Sequence, residues 1–569
     1  MIGYTCKYTP IEIFTSLGIE TKRIDPNVTS YDKAETMMHT NLCSYVKGVL
    51  EDVITNDYEG VILTSCCDST RRLYDTLKEN FPGKFIYILD LPRKVNEESI
   101  NIYADVVKEM VQAYEGFSNK KFDEKKLKKV CDTLKVEHVK PSSKLNIGLM
   151  GARCNDGIIE MVKKYNTNIF FNISCTGDER EYNLKDDNIY HDYIKDLLSK
   201  LPCLHMTDIT ERNNFLEKQK ENLDGIIYHT VKFCDIYSYE YADLKENYDV
   251  PVLKVETDYT KQCEGQIKTR VEAFIESLNA NRGTGDNNMD MSKDINDNLK
   301  NKDIEEASEN MKYVMGIDSG STSTNAVILN NRREIVAYEV VRTGAKSSES
   351  AKRALEQVLN KAGLSTEDLS LIVSTGYGRV SITFADKDVT EISCHGKGAH
   401  YLNPKIRTII DIGGQDSKVI KLNNKGEVVD FVMNDKCAAG TGRFLEMMAR
   451  TLEIDIKDMG PESLKWKEDI KISSMCSVFA ESEVISLIAQ NKEKADIIHA
   501  LNQSISSRTN ALLGRVGKES EFMMTGGVAQ NVGVVKAIEE KIGEKLFISD
   551  EPEIVGAIGA ALFGIESLE

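Results

Sequence analysis

Two kinds of residue in this 569-residue chain can do chemistry that a packed core does not need. They are thirteen cysteines and a set of aspartates that open runs of glycine, serine and threonine. Cys66 and Cys67 close the strand-like run "EGVILTSCCDS", and Cys234 stands just past a second, "DGIIYHTVKFCD". Cys154 in "NIGLMGARCND" and Cys175 in "TNIFFNISCTGD" hold the same place after runs of their own. In an open parallel sheet, ligands bind in the crevice beyond the carboxyl ends of the strands, so these thiols are expected to converge on one cleft. A lone cysteine is most often core, and convergence is what core packing does not require. With Cys6 in "GYTCKYTP" and Cys43 in "TNLCSYV", there are enough thiolates for an iron–sulfur cluster or more. Zinc is the weaker candidate, because no CxxC pair occurs and the spacings are long. Asp68, Arg71, Arg72, Asp178 and Arg180 are candidate hydrogen-bonding neighbours of such a site, or equally a solvated loop.

The aspartates point to phosphate. In "YVMGIDSGSTSTNAVILN" an apolar strand containing Gly316 reaches Asp318, and Ser319, Gly320, Ser321, Thr322, Ser323 and Thr324 follow before a second strand. Small residues let backbone N–H groups and hydroxyls approach phosphate oxygens, and Asp318 suits the magnesium ion that bridges them. "TIIDIGGQDSKVIKL" repeats the design with Asp411, Gly413, Gly414, Gln415 and Lys418. A third element, "FMMTGGVAQNVGVVKAIEEKIG", gives Thr525, Gly526 and Gly527, then Gln530 and Asn531, at a turn suited to an adenosine. Three such elements in this order, with the small-residue helix "EPEIVGAIGAALFG", carry the signature of the actin, sugar-kinase and heat-shock-ATPase superfold. Asp318, Asp411 and Gln415 are the candidate catalytic residues, and ATP or ADP with magnesium the expected ligand.

Two more thiols sit inside this second region. Cys437 in "NDKCAAGTGRFLE" precedes Gly440, Gly442 and an amphipathic helix, and Cys476 in "SSMCSVFAESEVISLIAQ" precedes another. At a helix N-terminus the dipole and free N–H groups favour thiolate, the form that binds iron. Two thiolates are half of what a [4Fe–4S] cluster needs, so a two-fold dimer with the cluster on its axis is expected to complete the set.

The elements that must position these groups divide the chain. Residues 281–310 are dense in Asn, Asp, Lys and Gly without apolar periodicity, which reads as a flexible linker. Strand-like and helical patterns alternate on both sides of it, so the fold class is α/β. The two echoing runs in residues 1–280 predict a pair of Rossmann-like parallel-sheet halves, and residues 311–569 predict the ATPase superfold. The net charge is −18, which disfavours nucleic acid and anionic membranes. The start lacks a basic-then-apolar leader and no run approaches the roughly 18 apolar residues of a membrane span, so the cytoplasm is expected.

"GIDSGSTSTNAVI", "DIGGQDSK", "NDKCAAGTGRFLE" and "SMCSVFAESEV" resemble the activator component of 2-hydroxyacyl-CoA dehydratases, in the family that includes benzoyl-CoA reductase ATPase subunits and double-cubane cluster protein reductases. The resemblance implies a homodimer carrying one [4Fe–4S] cluster on Cys437 and Cys476, loaded by ferredoxin or flavodoxin and coupling ATP hydrolysis to low-potential electron transfer. "YTCKYTPIEIF", "CCDSTRRLYD", "FCDIYSYEY" and "GQIKTRVEAFIE" are similar to the dehydratase D-component and to double-cubane proteins. That likeness implies a second cluster, [4Fe–4S] or double-cubane [8Fe–9S], on Cys6, Cys43, Cys66, Cys67, Cys175 and Cys234, with Cys154 and Cys263 competing. The expected activity is ATP-dependent reduction of a small molecule. A dehydratase–activator fusion acting on an acyl-CoA is the alternative, as is an N-terminal region that docks on a separate dehydratase or reductase. A small-molecule kinase, which needs neither Cys437 nor Cys476, is the reading from another class.

Overall fold

The runs that read as strands carry apolar side chains at consecutive positions, because the strands they form are covered on both faces. In the computed structural model, which describes residues 1–136, 139–177, 180–234, 236–260, 264–283, 311–434, 438–472 and 477–569, the chain divides into two units, Met1–Leu278 and Asn279–Glu569. Residues 284–310, most of the expected linker, lie outside the described residues, as do Asp178, Cys263, Cys437 and Cys476.

The first unit contains two four-stranded parallel sheets. One comprises β1 (Ile2–Tyr4), β2 (Thr21–Arg23), β3 (Gly60–Thr64) and β4 (Phe85–Leu89) in the order β2-β1-β3-β4. The other comprises β5 (Asn146–Gly151), β6 (Asn168–Asn172), β7 (Gly225–Val231) and β8 (Val252–Thr257) in the order β6-β5-β7-β8. The two orders are the same walk, and the two echoing runs of the sequence are β3 and β7, the third strand of each. Both are buried along their whole length. Gly225 is where a helix crosses close: a Cβ there would stand 2.8 Å from Leu278 and Phe274 of the helix Glu264–Gly283.

A buried ion pair links the halves. Arg180 donates to both carboxylate oxygens of Glu12 at 2.9 and 3.1 Å, and the Tyr193 hydroxyl donates to the same group at 2.8 Å. Glu12 belongs to the helix Ile11–Ser16 of the first half, whereas Arg180 and Tyr193 follow β6.

The second unit repeats a different plan. One sheet is formed by β9 (Tyr313–Ser319), β10 (Ser323–Asn330), β11 (Ile335–Arg342), β12 (Leu369–Thr375) and β13 (Lys387–Asp388), the other by β14 (Thr408–Ile412), β15 (Ser417–Leu422), β16 (Val428–Asn434), β17 (Phe522–Thr525) and β18 (Leu546–Phe547). Their orders, β11-β10-β9-β12-β13 and β16-β15-β14-β17-β18, match strand for strand, with two antiparallel hairpin contacts followed by two parallel ones. This duplicated plan is the actin-like α/β architecture. The glycine-rich helix Val555–Glu566 packs so closely on the first sheet that a Cβ on Gly316 would overlap the Ala557 carbonyl. Among the described residues no helix is long and apolar enough to cross a membrane.

Candidate functional site

The duplicated hairpins of the second unit bring their turns together. The β9–β10 turn closes with Gly320 N–H donating to the Ser323 carbonyl at 3.0 Å, and the β14–β15 turn with Gly413 N–H donating to the Asp416 carbonyl at 3.0 Å. A Cβ on Gly414 would overlap Thr322 Oγ1 and stand 3.1 Å from Ser321 Oγ. The helix Gly442–Thr451 starts against the second turn, its Gly442 and Arg443 N–H groups donating at 2.9 Å to the carbonyls of Gly413 and Gly414. Ser319 Oγ, Thr322 Oγ1 and Thr375 Oγ1 are buried without a hydrogen-bond partner. Orphaned hydroxyls are costly unless a ligand satisfies them, and phosphate oxygens do so.

Behind the turns lies a buried charged cluster. His395, on the helix Glu391–Leu402, stands 3.8 Å from Asp318 through Nε2 and 3.8 Å from Asp411 through Nδ1. Lys418 Nζ lies 2.7 Å from Asp416, 3.0 Å from Asp411 and 3.5 Å from Glu391. Burial and the charge of Asp411 push the Asp318 carboxyl up to about 7, and burial pushes Glu391 up to about 7 despite Lys418. Burial raises Asp411 as well, but His395, Lys418 and hydrogen bonds from Lys418 and Thr525 outweigh it and hold Asp411 below the usual carboxylate range. Three carboxyl groups on Lys418, with Asp318 beyond His395, make a carboxylate-rich cluster of the kind that suits a divalent cation.

The strand register explains a residue pair that sequence reasoning missed. Asp318 lies beside Thr375 across β9 and β12, as Asp411 lies beside Thr525 across β14 and β17. Gly376 and Gly526 follow these threonines with φ of +84° and +82°. The signal was the dipeptide Thr-Gly after a strand in "VSTGYG", the same as in "MMTGGV". Glu391, His395 and Asp416 were not singled out either. Other expected residues take different work: Thr324 bonds Thr343 and Ser350, Gln530 reaches Glu553 at 2.9 Å, and Asn531 Oδ1 caps the helix Val532–Ile542. Gln415 is exposed on the turn, and Gly440 takes φ +93° ahead of Gly442.

In the first unit the thiols converge. A cavity of about 240 Å³ opens beyond the carboxyl ends of the strands and is lined, from the first half, by Cys6, Cys43, Cys66 and Cys67. The second half contributes Cys175, Cys203 and Cys234. Cys43 and Cys67 are also the residues that open the helices Ser44–Thr55 and Asp68–Asn80. No Asp or Glu lines the cavity among the described residues, whereas Lys7, Arg153 and His205 do. Burial raises the thiols of Cys6 and Cys43, and pushes Cys203 and Cys234 up to about 12. Cys66 goes the other way, because the Cys67 thiol donates a hydrogen bond to it and Arg153 and His205 add attraction against the cost of burial.

Cys203 was missed, since it lies in a connection without a strand ahead of it. Cys154 is fully buried away from the cavity, its carbonyl accepting from Thr176 at 2.6 Å. Arg180 serves the Glu12 pair rather than the cavity, and Arg71 and Arg72 are exposed partners of Asp90 and Asp75. Asp68 opens its helix at the surface. Soft donors without carboxylate match the chemistry of an iron–sulfur cluster rather than magnesium or calcium, although among the described residues no three such side chains stand close enough together to hold a single metal ion.

Residues 315–564 match the BadF/BadG/BcrA/BcrD ATPase family, and residues 6–137 and 128–278 match the 2-hydroxyglutaryl-CoA dehydratase D-component. The chain is 48% identical over 257 residues to the activator of lactoyl-CoA dehydratase of Anaerotignum propionicum, covering 45% of this chain and 99% of that protein. It is 46% identical over 252 residues to the (R)-2-hydroxyglutaryl-CoA dehydratase activating ATPase of Acidaminococcus fermentans, covering 44% and 96%. A more distant likeness, 22% over 346 residues, joins 49% of the chain to 91% of the (R)-phenyllactyl-CoA dehydratase beta subunit of Clostridium sporogenes.

Proposed function

The chain belongs to the BadF/BadG/BcrA/BcrD ATPase family, and from that premise we propose that it is an ATP-dependent low-potential reductase whose electron acceptor is an iron–sulfur cluster held in the thiol cavity of the first unit. The observation that carries the reading is the convergence of seven thiols, and no carboxylate among the described residues, on one cavity. Cys6, Cys43, Cys66, Cys67, Cys175 and Cys234 would hold the group, with Cys203 as the further donor. When bound, the cluster supplies one-electron chemistry at a potential that ordinary side chains cannot reach.

In the second unit, the orphaned hydroxyls of Ser319 and Thr322 and the N–H groups of the two turns receive the phosphates of MgATP. Asp411, held ionised, and Asp318, poised near 7, would hold the magnesium ion, which would supply positive charge against the phosphates, and Asp318 could take a proton from water. Hydrolysis breaks contacts to both turns at once, and because the turns belong to different sheets the release favours a change in their separation. Supply of the electron is assigned to a reduced ferredoxin or flavodoxin. A second copy of the chain is the partner for Cys437 and Cys476: the helix Ser477–Ala489 leaves Val478, Phe479 and Ile485 63, 66 and 55% exposed, an apolar face that a dimer would cover.

The D-component match supports the second reading, a dehydratase–activator fusion acting on a 2-hydroxyacyl-CoA. Anaerobic assays of ATP-dependent reduction of small unsaturated or nitrogenous molecules, beside dehydration of 2-hydroxyacyl-CoA thioesters, separate the two. ATP hydrolysis that phosphorylates a small molecule, in protein devoid of iron, would defeat both.

A further inference from the structure

We propose that Arg153 is the charge-compensating residue of the thiol cavity, and that its guanidinium raises the reduction potential of the cluster held there. The inference rests on the reading that the cavity holds such a cluster.

Arg153 follows β5 with φ +42°, a left-handed backbone that a long side chain keeps only when its surroundings enforce it. The Tyr259 hydroxyl donates to the Arg153 carbonyl at 2.7 Å, the guanidinium lies 3.9 Å from the centre of the Tyr45 ring, and Nη1 donates to the Thr5 carbonyl. All three contacts fix position and none neutralises charge. Arginine stays protonated in proteins, and among the described residues no carboxylate forms an ion pair with it. Asp25, the acid whose charge it acts on, accepts its hydrogen bond from the Asp156 N–H at 3.0 Å instead.

Lys7 repeats the pattern. It is buried on the same cavity and donates to the Leu201 carbonyl at 2.6 Å, no carboxylate among the described residues pairs with it, and burial lowers its pKa. A buried cation without a counter-charge is strongly unfavourable. Arg153 cannot shed its proton, so the cavity must supply the anion, and Cys175 and Cys66 are the thiols that act on it most. When a thiolate-ligated cluster takes one electron from a low-potential donor, its charge becomes more negative by one. A fixed guanidinium stabilises that product more than the oxidised form, bringing an electron-rich group within reach of the donor.

The test uses the full chain prepared without oxygen as wild type, Arg153→Gln and Arg153→Lys. Iron and acid-labile sulfide are counted, and each protein is titrated reductively with Ti(III) citrate under electron paramagnetic resonance. The Gln variant is expected to keep its iron and to become harder to reduce by tenfold or more in the one-electron equilibrium, about 59 mV lower, while the Lys variant shifts by less than half of that. The cluster of the second unit should not move. A Gln variant that assembles no first-unit cluster while the Lys variant does would also support the charge role. Equal midpoints in wild type and Gln at equal iron, equal shifts in Gln and Lys, or loss of the cluster in both variants would overturn it. Wild-type protein with only the second-unit cluster would overturn the underlying reading itself, and with it the inference.

Discussion

Gly414 touches Thr322 across the nucleotide cleft so closely that any side chain at 414 must displace the threonine hydroxyl. The contact joins two turns that are 92 residues apart in the chain (414 − 322) and belong to different sheets. It makes the spacing of the two turns, proposed to receive the phosphates, depend on the absence of a side chain at 414.

Gly414→Ala is therefore expected to lower kcat/KM for ATP hydrolysis by about 10²-fold, the usual cost of a 1 Å misplacement, with little change in thermal stability. Adding Thr322→Ala removes the overlapping atom and should recover part of the loss. Steady-state ATPase assays on the two variants check this, and a double variant no better than the single one would assign the defect elsewhere.

His229 gives the first unit a pH dependence. Its Nδ1 donates to the Ala152 carbonyl, which leaves Nε2 to accept from Thr257 at 2.8 Å, and burial lowers its pKa from 6.5 to about 4. The unfolded chain then binds more protons between these values, so stability is full above 6.5 and is lost as pH falls toward 4. At about 1.4 kcal/mol per unit, the loss is on the order of 3 kcal/mol. Trp466 is the single tryptophan and lies in the second unit, so the first unit's urea transition is the one seen by circular dichroism and not by tryptophan fluorescence. His229→Asn should flatten its pH dependence across this window.

Glu12→Gln leaves Arg180 buried with a neutral partner. The expected destabilisation of the first unit is about 3–5 kcal/mol, read from the same transition, with the Trp466 signal unchanged.

Cys154→Ala and Cys203→Ala separate neighbours in sequence from neighbours in space. Removing Cys154, which does not line the cavity, should leave iron content and potential unchanged; removing Cys203, which does, should alter one or both. Iron analysis with electron paramagnetic resonance reads both outcomes.

Much of this layout was legible in the sequence, for identifiable reasons. The strand runs of β3, β7, β9 and β14 are long, apolar and bounded by turn residues, and both internal duplications place equivalent motifs at equivalent strands. Thiols that follow strands could be read as one cleft because parallel strands end on the same side. Arg153 and Cys154 show where such reading stops: adjacent residues past β5 take opposite directions, so the arginine lines the cavity and the thiol does not. Cys203, His395 and Glu391 owe their places to connections and a helix whose docking no local pattern encodes. Gly316, in the strand that leads to the Asp318 turn, lacks a side chain where the helix Val555–Glu566 crosses it, a constraint no local pattern encodes.

The central claim is a cluster in the first unit that is reduced only when ATP is hydrolysed. Iron and sulfide per chain in anaerobic protein, measured beside a Cys66→Ser/Cys67→Ser variant with spectra taken before and after ATP and a reduced donor, test it most directly. A bridging cluster alone gives about two irons per chain, half of a [4Fe–4S] group. Clearly more than that is expected in the wild type, with an ATP-dependent reduced signal, and both the excess iron and that signal should be lost in the variant. About two irons in both proteins, or a signal that persists without Cys66 and Cys67, would contradict it.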